Sequence, residues 1–334
     1  MKKLLLLLLT AYCQLPTARG QYAPQAGITG SDAIAHNSPQ IIAWATGCTL
    51  QRGWMDIAQP SLGYAYSGDS SLAIGAADNM VVSLGDSGVA TLSFAQPVMN
   101  GAGADFVVFE NGFLNTADSE EAFLELAFVE VSSDGMNFFR FPPVSLTQDT
   151  QQISGTGAPG TGDYLLARQL HHLAGKYISK WGTPFDLEAL NGLAGLDVNH
   201  ITHIRLVDVV GSINAHASKD KDDRVINDPY PTPFPTSGFD LDAVGVLHQQ
   251  NASYTAHPYK HLVRLAPNPT TDRLYIHSEK NLQLIVTDIS GKIMIKRTCH
   301  QRTEISLEEF QSGIYFFNFN DENGNKWSEK IVKY

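Results

Sequence analysis

Carboxylate side chains in two strand-like segments have the types and spacing of a metal site. Asp105, Glu110 and Asn111 bracket one segment and the turn after it, while Asp240 and Asp242 alternate on a later segment. Alternate residues of a strand point to the same face, so Asp240 and Asp242 can act together. Calcium takes about six to eight oxygen ligands from carboxylates, amides and backbone carbonyls. The sequence therefore predicts a Ca²⁺ site built from some of these residues; the alternative is that they cap loops and occupy exposed strand faces.

Two of these carboxylates also suit the cleavage of a polysaccharide. Glycoside hydrolases place a pair of Asp or Glu side chains beside the scissile bond, one as the acid and the other as the base or nucleophile. Glu110 and Asp240 are the pair that such an enzyme would use. Their separation would set the stereochemical outcome of the reaction.

A proline-rich segment, Asp228–Pro235, presents the aromatic residues Tyr230 and Phe234. Proline stiffens the backbone, so these rings can bind a ligand with little loss of conformational entropy. Rigid aromatic rings stack well on flat ligands and on sugar faces. Trp181 would join them if its segment lies nearby. The sequence therefore predicts Trp181, Tyr230 and Phe234 as ligand-binding residues; the alternative is a lid whose aromatic side chains fill the core.

The segment 85–88 reads Gly-Asp-Ser-Gly and looks like the nucleophile segment of a trypsin-like protease. That chemistry also needs a histidine base and a separate aspartate. The sequence lacks the small-residue context in which such proteases carry their histidine. Because Gly and Asp supply the backbone angles of tight turns, we expect a turn here rather than a nucleophile.

Adjacent histidines, His171 and His172, are a further candidate for metal chemistry. They lie in a segment with apolar residues near helical spacing, where neighbouring side chains point in different directions. Histidines that share a metal from one helix are three or four residues apart. The pair is therefore predicted to occupy ordinary helix or surface positions.

Short strand-like segments separated by Gly, Asn and Asp turns dominate residues 21–248. Met80–Leu84 and Val89–Phe94 flank the 85–88 turn and predict a hairpin. Many strands at this spacing predict an all-β, jelly-roll-like β-sandwich. Leu165–Trp181 has helical periodicity, and Thr183 followed by Pro184 is typical of a helix start. We therefore expect a short helical insertion that covers an edge or end of the sandwich.

Length and composition set limits on the class of protein. A chain of 334 residues with 43% hydrophobic residues indicates roughly two domains with buried cores. The net charge of -11 argues against a nucleic-acid partner. Residues 1–20 combine the basic Met1–Lys3, the apolar Leu4–Leu9 and small residues before position 21, which predicts a cleaved signal peptide. No further run of about twenty apolar residues occurs, so no membrane span is predicted.

The C-terminal residues 263–334 follow a polar segment, 249–262, that is predicted to be a linker. They form short alternating strands with a Pro267–Pro269 entry, a turn at Asp288–Lys292 and the ending Lys330–Tyr334. Together these features closely resemble the type A C-terminal sorting domain of Bacteroidetes cargo for the type IX secretion system. The resemblance implies a small Ig-like β-sandwich that the export machinery recognises and a sortase-like peptidase removes. It also implies that the protein is secreted or held at the cell surface, by way of the periplasm.

The main region is similar to uncharacterised bacterial cell surface proteins with a galactose-binding-like or jelly-roll architecture. The similar parts are Asp105–Gly112, Phe128–Gly135, Arg205–Gly211 and Gly238–Gly245. The function predicted for this region is a noncatalytic binding module for a glycan or another extracellular ligand. The alternatives are a polysaccharide hydrolase and a surface partner of an outer-membrane uptake system, for example for cobalamin or glycan.

Overall fold

Antiparallel strands joined by turns build both units of the computed structural model, which describes residues 22–155, 164–250, 263–322, 324 and 326–334. The chain divides into Met1–Asn251 and Ala252–Tyr334. The predicted signal peptide lies outside the described residues, and so does most of the predicted linker. Within the described ranges, no helix is long and apolar enough to span a membrane.

The strands of the first unit come in short pieces. In chain order, the described strands are β1 Ile34–Ala35, β2 Ala43–Trp44, β3 Gly47–Gln51, β4 Val82–Ser83, β5 Val89–Val98, β6 Phe106–Glu110, β7 Phe113–Leu114, β8 Glu121–Phe123, β9 Ala127–Ser132, β10 Phe139–Arg140, β11 Val144–Ser145, β12 Leu165–Leu166, β13 Leu170–His171, β14 Leu173–Ala174, β15 Trp181–Phe185, β16 Ile201–Asp208 and β17 Asp240–Val246. Short 3-10 turns occupy Pro60–Leu62, Ser70–Ala73, Ala167–Gln169 and Leu187–Leu190.

Two larger sheets of this unit face each other as a β-sandwich. The first has the strand order β1-β15-β6-β17-β2, with β4 also paired to β17. The second has the order β10-β9-β16-β5-β3, with β14 also paired to β9. The same unit also contains two smaller sheets, of order β11-β13 and β12-β8-β7. The all-β class predicted for this unit is therefore confirmed.

The core between the sheets explains the patterning of the central strands. Phe106 and Val108 of β6 enter the main core, whereas Val107 and Phe109 pack in a second cluster on the other face. A strand that is buried on both faces needs a continuous apolar run, and β6 has one. On β16, by contrast, burial alternates, and Asp208 is buried in step with Ile204 and Leu206.

The predicted hairpin around the 85–88 turn is wrong. β4 pairs with β17 in the first sheet, while β5 pairs with β3 and β16 in the second. The turn therefore carries the chain across the core from one sheet to the other. Its residues suit a hairpin equally well, because they specify a tight turn and not the partner of each strand.

The predicted helical insertion is also wrong. The segment forms β12, β13 and β14, which pair with β8, β11 and β9, and the described helical residues there are limited to 3-10 turns. His172 and Gly175 have φ values of 54° and 79°, which an α-helix does not accept. The helix start predicted at Thr183 lies within β15, and Asp186 caps the 3-10 turn that follows by accepting a bond from Glu188 N at 2.9 Å.

The C-terminal unit is a second, smaller sandwich. Its strands are β18 Val263–Ala266, β19 Arg273–Ser278, β20 Leu282–Asp288, β21 Ile293–Cys299, β22 Arg302–Ser306, β23 Gly313–Asn320 and β24 Lys326–Lys333. A sheet of order β18-β19-β22 and a sheet of order β21-β20-β23-β24 share one core. Phe317, Phe319 and Ile331 are buried in that core. The small two-sheet sandwich expected for this region is confirmed.

Candidate functional site

An aromatic surface lies where the loop 52–68 meets the loop 228–238. The rings of Trp54 and Tyr64 stack with centroids 4.1 Å apart and planes inclined by 20°. Tyr64, Tyr66 and Phe234 are 53%, 67% and 47% exposed, which is unusual for large aromatic side chains. Trp54, Tyr64, Tyr66 and Phe234 are called the aromatic platform below. Exposed aromatic groups on two adjoining loops are typical of a binding surface.

Hydrogen bonds hold the two loops of the platform together. The backbone amides of Tyr66 and Ser67 both donate to Pro235 O at 3.0 Å, one residue from Phe234. The Tyr230 hydroxyl donates to Asp56 Oδ1 at 3.1 Å. Burial and the nearby Asp56 carboxylate raise the pKa of Tyr230, so the hydroxyl stays protonated and can keep this bond. The backbones that carry the platform are thus held together before any ligand arrives, which lowers the entropic cost of binding.

A close backbone approach at Gly53 sets the position of Trp54. A Cβ at residue 53 would lie 2.1 Å from Asp86 O, so only glycine fits there. Beside it, Trp54 exchanges backbone bonds with Asp86, at 3.2 and 2.8 Å. The platform therefore rests on the 85–88 turn.

The turn interpretation of residues 85–88 is confirmed. Gly85 and Ser87 have φ values of 77° and 61°, and Gly88 N donates to Gly85 O at 2.7 Å. The Asp86 carboxylate accepts a bond from Ile57 N at 2.7 Å, so it orders the platform loop.

The structure brings only part of the predicted ligand-binding set together. Tyr230 and Phe234 lie in the loop that supports the platform. Trp181 instead pairs with Ala35 across β1 and β15 and packs against the cluster that contains Tyr177.

Sequence reasoning missed the aromatic residues of the loop 52–68. Trp54, Tyr64 and Tyr66 lie between glycines and prolines in a segment without strand periodicity. Aromatic side chains in such a loop belong to no regular apolar face. Their presence in an irregular loop was the signal that could have indicated a binding surface.

The predicted calcium ligands are divided between the two ends of β6. Asp105 lies before the strand and Glu110 ends it, roughly 16 Å away along an extended chain. The Asp105 carboxylate accepts bonds from Gly101 N and Leu187 N, both at 2.7 Å, and its Oδ1 lies 2.8 Å from His248 Nδ1. It orders the loops at its own end of the sheet.

Glu110, Asn111 and Asp240 do come together. Asn111 Nδ2 donates to Asp240 Oδ2 at 2.9 Å, while Asp240 Oδ1 is buried without a hydrogen-bond partner among the described residues. Asp242 lies at a register shift in β17, between Leu241 and Ala243, and its carboxylate accepts bonds from Asp78 N and Asn79 N at 3.1 Å. In the described part of the chain, no three His, Cys, Asp or Glu side chains are placed to hold a metal ion. The calcium site stays a prediction.

Buried carboxyl groups are concentrated around Asp240. Burial raises the pKa of Asp86, Asp240 and Asp242 to about 6. Further carboxyl groups have pKa values well above their ordinary range: Glu110, Glu125, Asp208 and Asp228. Burial is the main cause, and neighbouring carboxylates add to it. The fold therefore favours the protonated, neutral form of these groups.

The C-terminal unit has a recognisable family. Residues 264–334 match the protein family described as the secretion system C-terminal sorting domain. The unit is thus a type IX secretion sorting domain, and the protein is secreted or displayed at the cell surface by the type IX machinery with which this domain interacts.

Remote likenesses to solved structures extend over much of the chain. No curated protein matches the sequence. A Ruminococcus gnavus β-glucuronidase in complex with uronic isofagomine is 9% identical over 74% of this chain and 34% of its own, with a TM-score of 0.17. The same enzyme in complex with D-glucuronic acid is 9% identical over 90% of this chain and 48% of its own, with a TM-score of 0.20. The BSP domain of a biofilm associated protein is 10% identical over 89% of this chain and 53% of its own, with a TM-score of 0.18. The chain spans about a third to a half of these structures, and scores this low carry no argument about its function.

Proposed function

We propose that the first unit is a noncatalytic binding module for an extracellular glycan, with sugar rings lying on the aromatic platform. The observation that carries this proposal is the exposure of Tyr64, Tyr66 and Phe234 on two loops whose backbones are hydrogen-bonded to each other. Aromatic faces stack on the C–H faces of sugars and lose little entropy when they are already ordered. Export by the type IX system places such a module where glycans are available.

Burial argues against the hydrolase alternative. Glu110 and Asp240 are only 2% and 6% exposed, so a polysaccharide would not reach both carboxyl groups without a rearrangement of the core. An acid and base pair must lie within hydrogen-bond reach of the scissile bond. The remaining alternative, a surface partner of an outer-membrane uptake system for cobalamin or glycan, predicts co-purification with an outer-membrane receptor.

Substitution of Tyr64 by alanine is expected to weaken glycan binding roughly tenfold, because a stacked aromatic contact contributes about 0.5–1.5 kcal/mol beyond its buried area. A glycan array identifies the ligand, and calorimetry on the purified protein then measures affinity for the wild type and for Tyr64→Ala. Phe234→Ala should weaken binding in the same way. No turnover of the bound glycan is expected.

Phe113→Ala is the matched control for this experiment. Phe113 is 48% exposed, close to the value for Phe234, and it stacks on Phe123 in β8, outside the loops 52–68 and 228–238. Its loss should leave affinity unchanged. The proposal fails if no glycan binds, or if Phe113→Ala weakens binding as much as Tyr64→Ala does.

A further inference from the structure

A cavity of about 450 Å³ opens beside the pairing of β1 with β15, and its wall includes Asp32, His171, His172, Lys176, Thr183 and Asp186. A space of this size accommodates a small ligand. The wall comes from several separate segments of the first unit, and the platform residues are not among those that line it. The cavity is therefore a site of its own.

Lys176 supplies a buried positive charge to this cavity. The residue is only 3% exposed, and its Nζ lies 4.0 Å from Asp32 Oδ1, longer than a hydrogen bond. The same Asp32 oxygen already accepts a bond from the Tyr177 hydroxyl. Nζ also lies 5.0 Å from the centre of the Tyr177 ring. An ammonium group has three N–H donors, so a ligand oxygen would complete its hydrogen bonding.

Thr183 provides independent evidence for a ligand. The residue is 4% exposed, and its Oγ1 is buried without a hydrogen-bond partner among the described residues. A buried hydroxyl without a hydrogen-bond partner is costly, so native structures seldom contain one. Thr183 lies in the cavity wall with its Oγ1 enclosed, and because that hydroxyl has no partner in the described ranges, a rotation about χ1 that turned it toward a ligand oxygen would break no hydrogen bond.

The two histidines form an uncharged side of the cavity, contrary to the prediction that they point apart on a helix. Their ring centroids are 3.8 Å apart, because the positive φ of His172 breaks the alternation of the strand. His171 also stacks on Tyr22 at 4.5 Å, and His172 Nδ1 lies 3.1 Å from Pro142 O. Burial lowers the pKa of both rings, that of His171 to about 4, and so favours their neutral forms.

Negative charge lies towards the opening. The Asp32 side chain is 57% exposed, and Asp186 is partly exposed while it caps the 3-10 turn Leu187–Leu190. A ligand that fits this arrangement carries a negative group inward and hydrogen-bond donors outward. Sugar hydroxyls donate readily to carboxylates.

We propose that this cavity binds a small hydroxylated carboxylic acid, a sugar acid by chemical class. Its carboxylate would accept bonds from the Lys176 ammonium and the Thr183 hydroxyl, and its hydroxyl groups would face Asp32 and Asp186. This proposal is independent of glycan binding at the aromatic platform, so either can fail without the other.

Calorimetric titration of the purified full chain with D-galacturonate tests the proposal, with D-galactose as the neutral control of the same ring. Saturable binding is expected for the acid and not for the neutral sugar. Lys176→Met should weaken binding at least tenfold, because bonds to charged groups contribute about 1.5–3 kcal/mol. Lys221→Met, at an exposed ion pair with Asp222, is the control and should leave affinity unchanged.

Thr183→Val separates a ligand contact from a structural role. The valine preserves shape, and the hydroxyl that it removes has no partner to lose. Binding should therefore fall several-fold while the thermal midpoint stays the same or rises. A lowered midpoint with unchanged affinity would mean that Thr183 is structural and would overturn its assignment.

Binding of the acid should also depend on pH. Burial lowers the pKa of Lys176 to about 8, so the cation is present at neutral pH and is lost as the pH rises above that value. Asp32, Asp186 and the neutral histidines are the other titratable groups that line the cavity. Affinity should fall between about pH 7 and pH 9. The proposal is overturned if D-galacturonate gives no saturable heat, if D-galactose binds equally well, or if Lys176→Met and Thr183→Val both keep wild-type affinity.

Discussion

Replacement of Phe317 by alanine is expected to lower the free energy of unfolding of the C-terminal unit by about 3–5 kcal/mol, the usual loss for a large aromatic core residue. Phe317 is fully buried on β23, opposite Val286 of β20 and Glu329 of β24. A single core in a domain this small rarely supplies more than about 3–5 kcal/mol, so the variant unit should be largely unfolded. Hydrogen exchange followed by mass spectrometry would localise this loss to peptides from residues 264–334.

Phe316→Ala is the matched control, because Phe316 is the neighbouring residue on the same strand and is 38% exposed on the opposite face. Its loss should cost under about 1 kcal/mol. Secretion should fail for Phe317→Ala and persist for Phe316→Ala, since a receptor cannot dock on an unfolded sandwich. Equal protection of the two variants against exchange would contradict the assigned core.

The stability of the first unit is expected to fall as the pH rises from about 4.5 to 7. Its buried carboxyl groups have folded pKa values above those of the unfolded chain, so the folded state holds more protons in this window. Where the folded state binds more protons, the unfolding free energy decreases with pH. His171 and His172 act in the opposite direction because their pKa values are lowered, but the carboxyl groups outnumber them.

Asp240→Asn isolates one contribution to this pH dependence. The change of the Asp240 pKa from 3.8 to about 6 corresponds to about 3 kcal/mol at pH 7 and to less at pH 5. The asparagine can still accept the bond from Asn111, so it should stabilise the fold by about 1 kcal/mol more at pH 7 than at pH 5. Urea unfolding in EDTA measures both values.

Two outcomes bear on the carboxyl groups. A wild-type unfolding free energy that stays level or rises between pH 5 and pH 7 in EDTA would contradict the raised pKa values of these groups.

Addition of Ca²⁺ tests the predicted calcium site in the same experiment. A bound ion would raise the stability of the wild type at pH 7 and would have less effect on Asp240→Asn, which lacks the charge.

Local patterns in the sequence predicted the β class and the C-terminal unit because those features depend on residues close together in the chain. The alternating segments of β19, β20 and β23 and the turn at Asp288–Lys292 needed no long-range information. The helix expected at Leu165–Trp181 failed because pairing with β8, β9 and β11 outweighed its periodicity.

The site was less accessible to sequence reasoning because it depends on which strands and loops become neighbours. The spacing of Asp105 and Glu110 along β6 places them at opposite ends of a strand, whatever their chemistry. Conversely, the loops that carry Tyr66 and Phe234 are far apart in the chain, and contacts such as those at Pro235 and between Tyr230 and Asp56 bring them together. The stacking of His171 on His172 depends on one residue of positive φ, which no pattern of neighbours indicates.

Fractionation of the native host would show whether the C-terminal sorting domain directs export of the protein. The protein should be followed by immunoblot in the wild type and in a strain without a functional type IX translocon. In the wild type it should be found in the medium or at the cell surface, accessible to added protease and without residues 264–334. In the mutant it should accumulate in the periplasm with the domain attached. Full-length protein in the cytoplasm, or equal surface exposure in both strains, would exclude export through this domain.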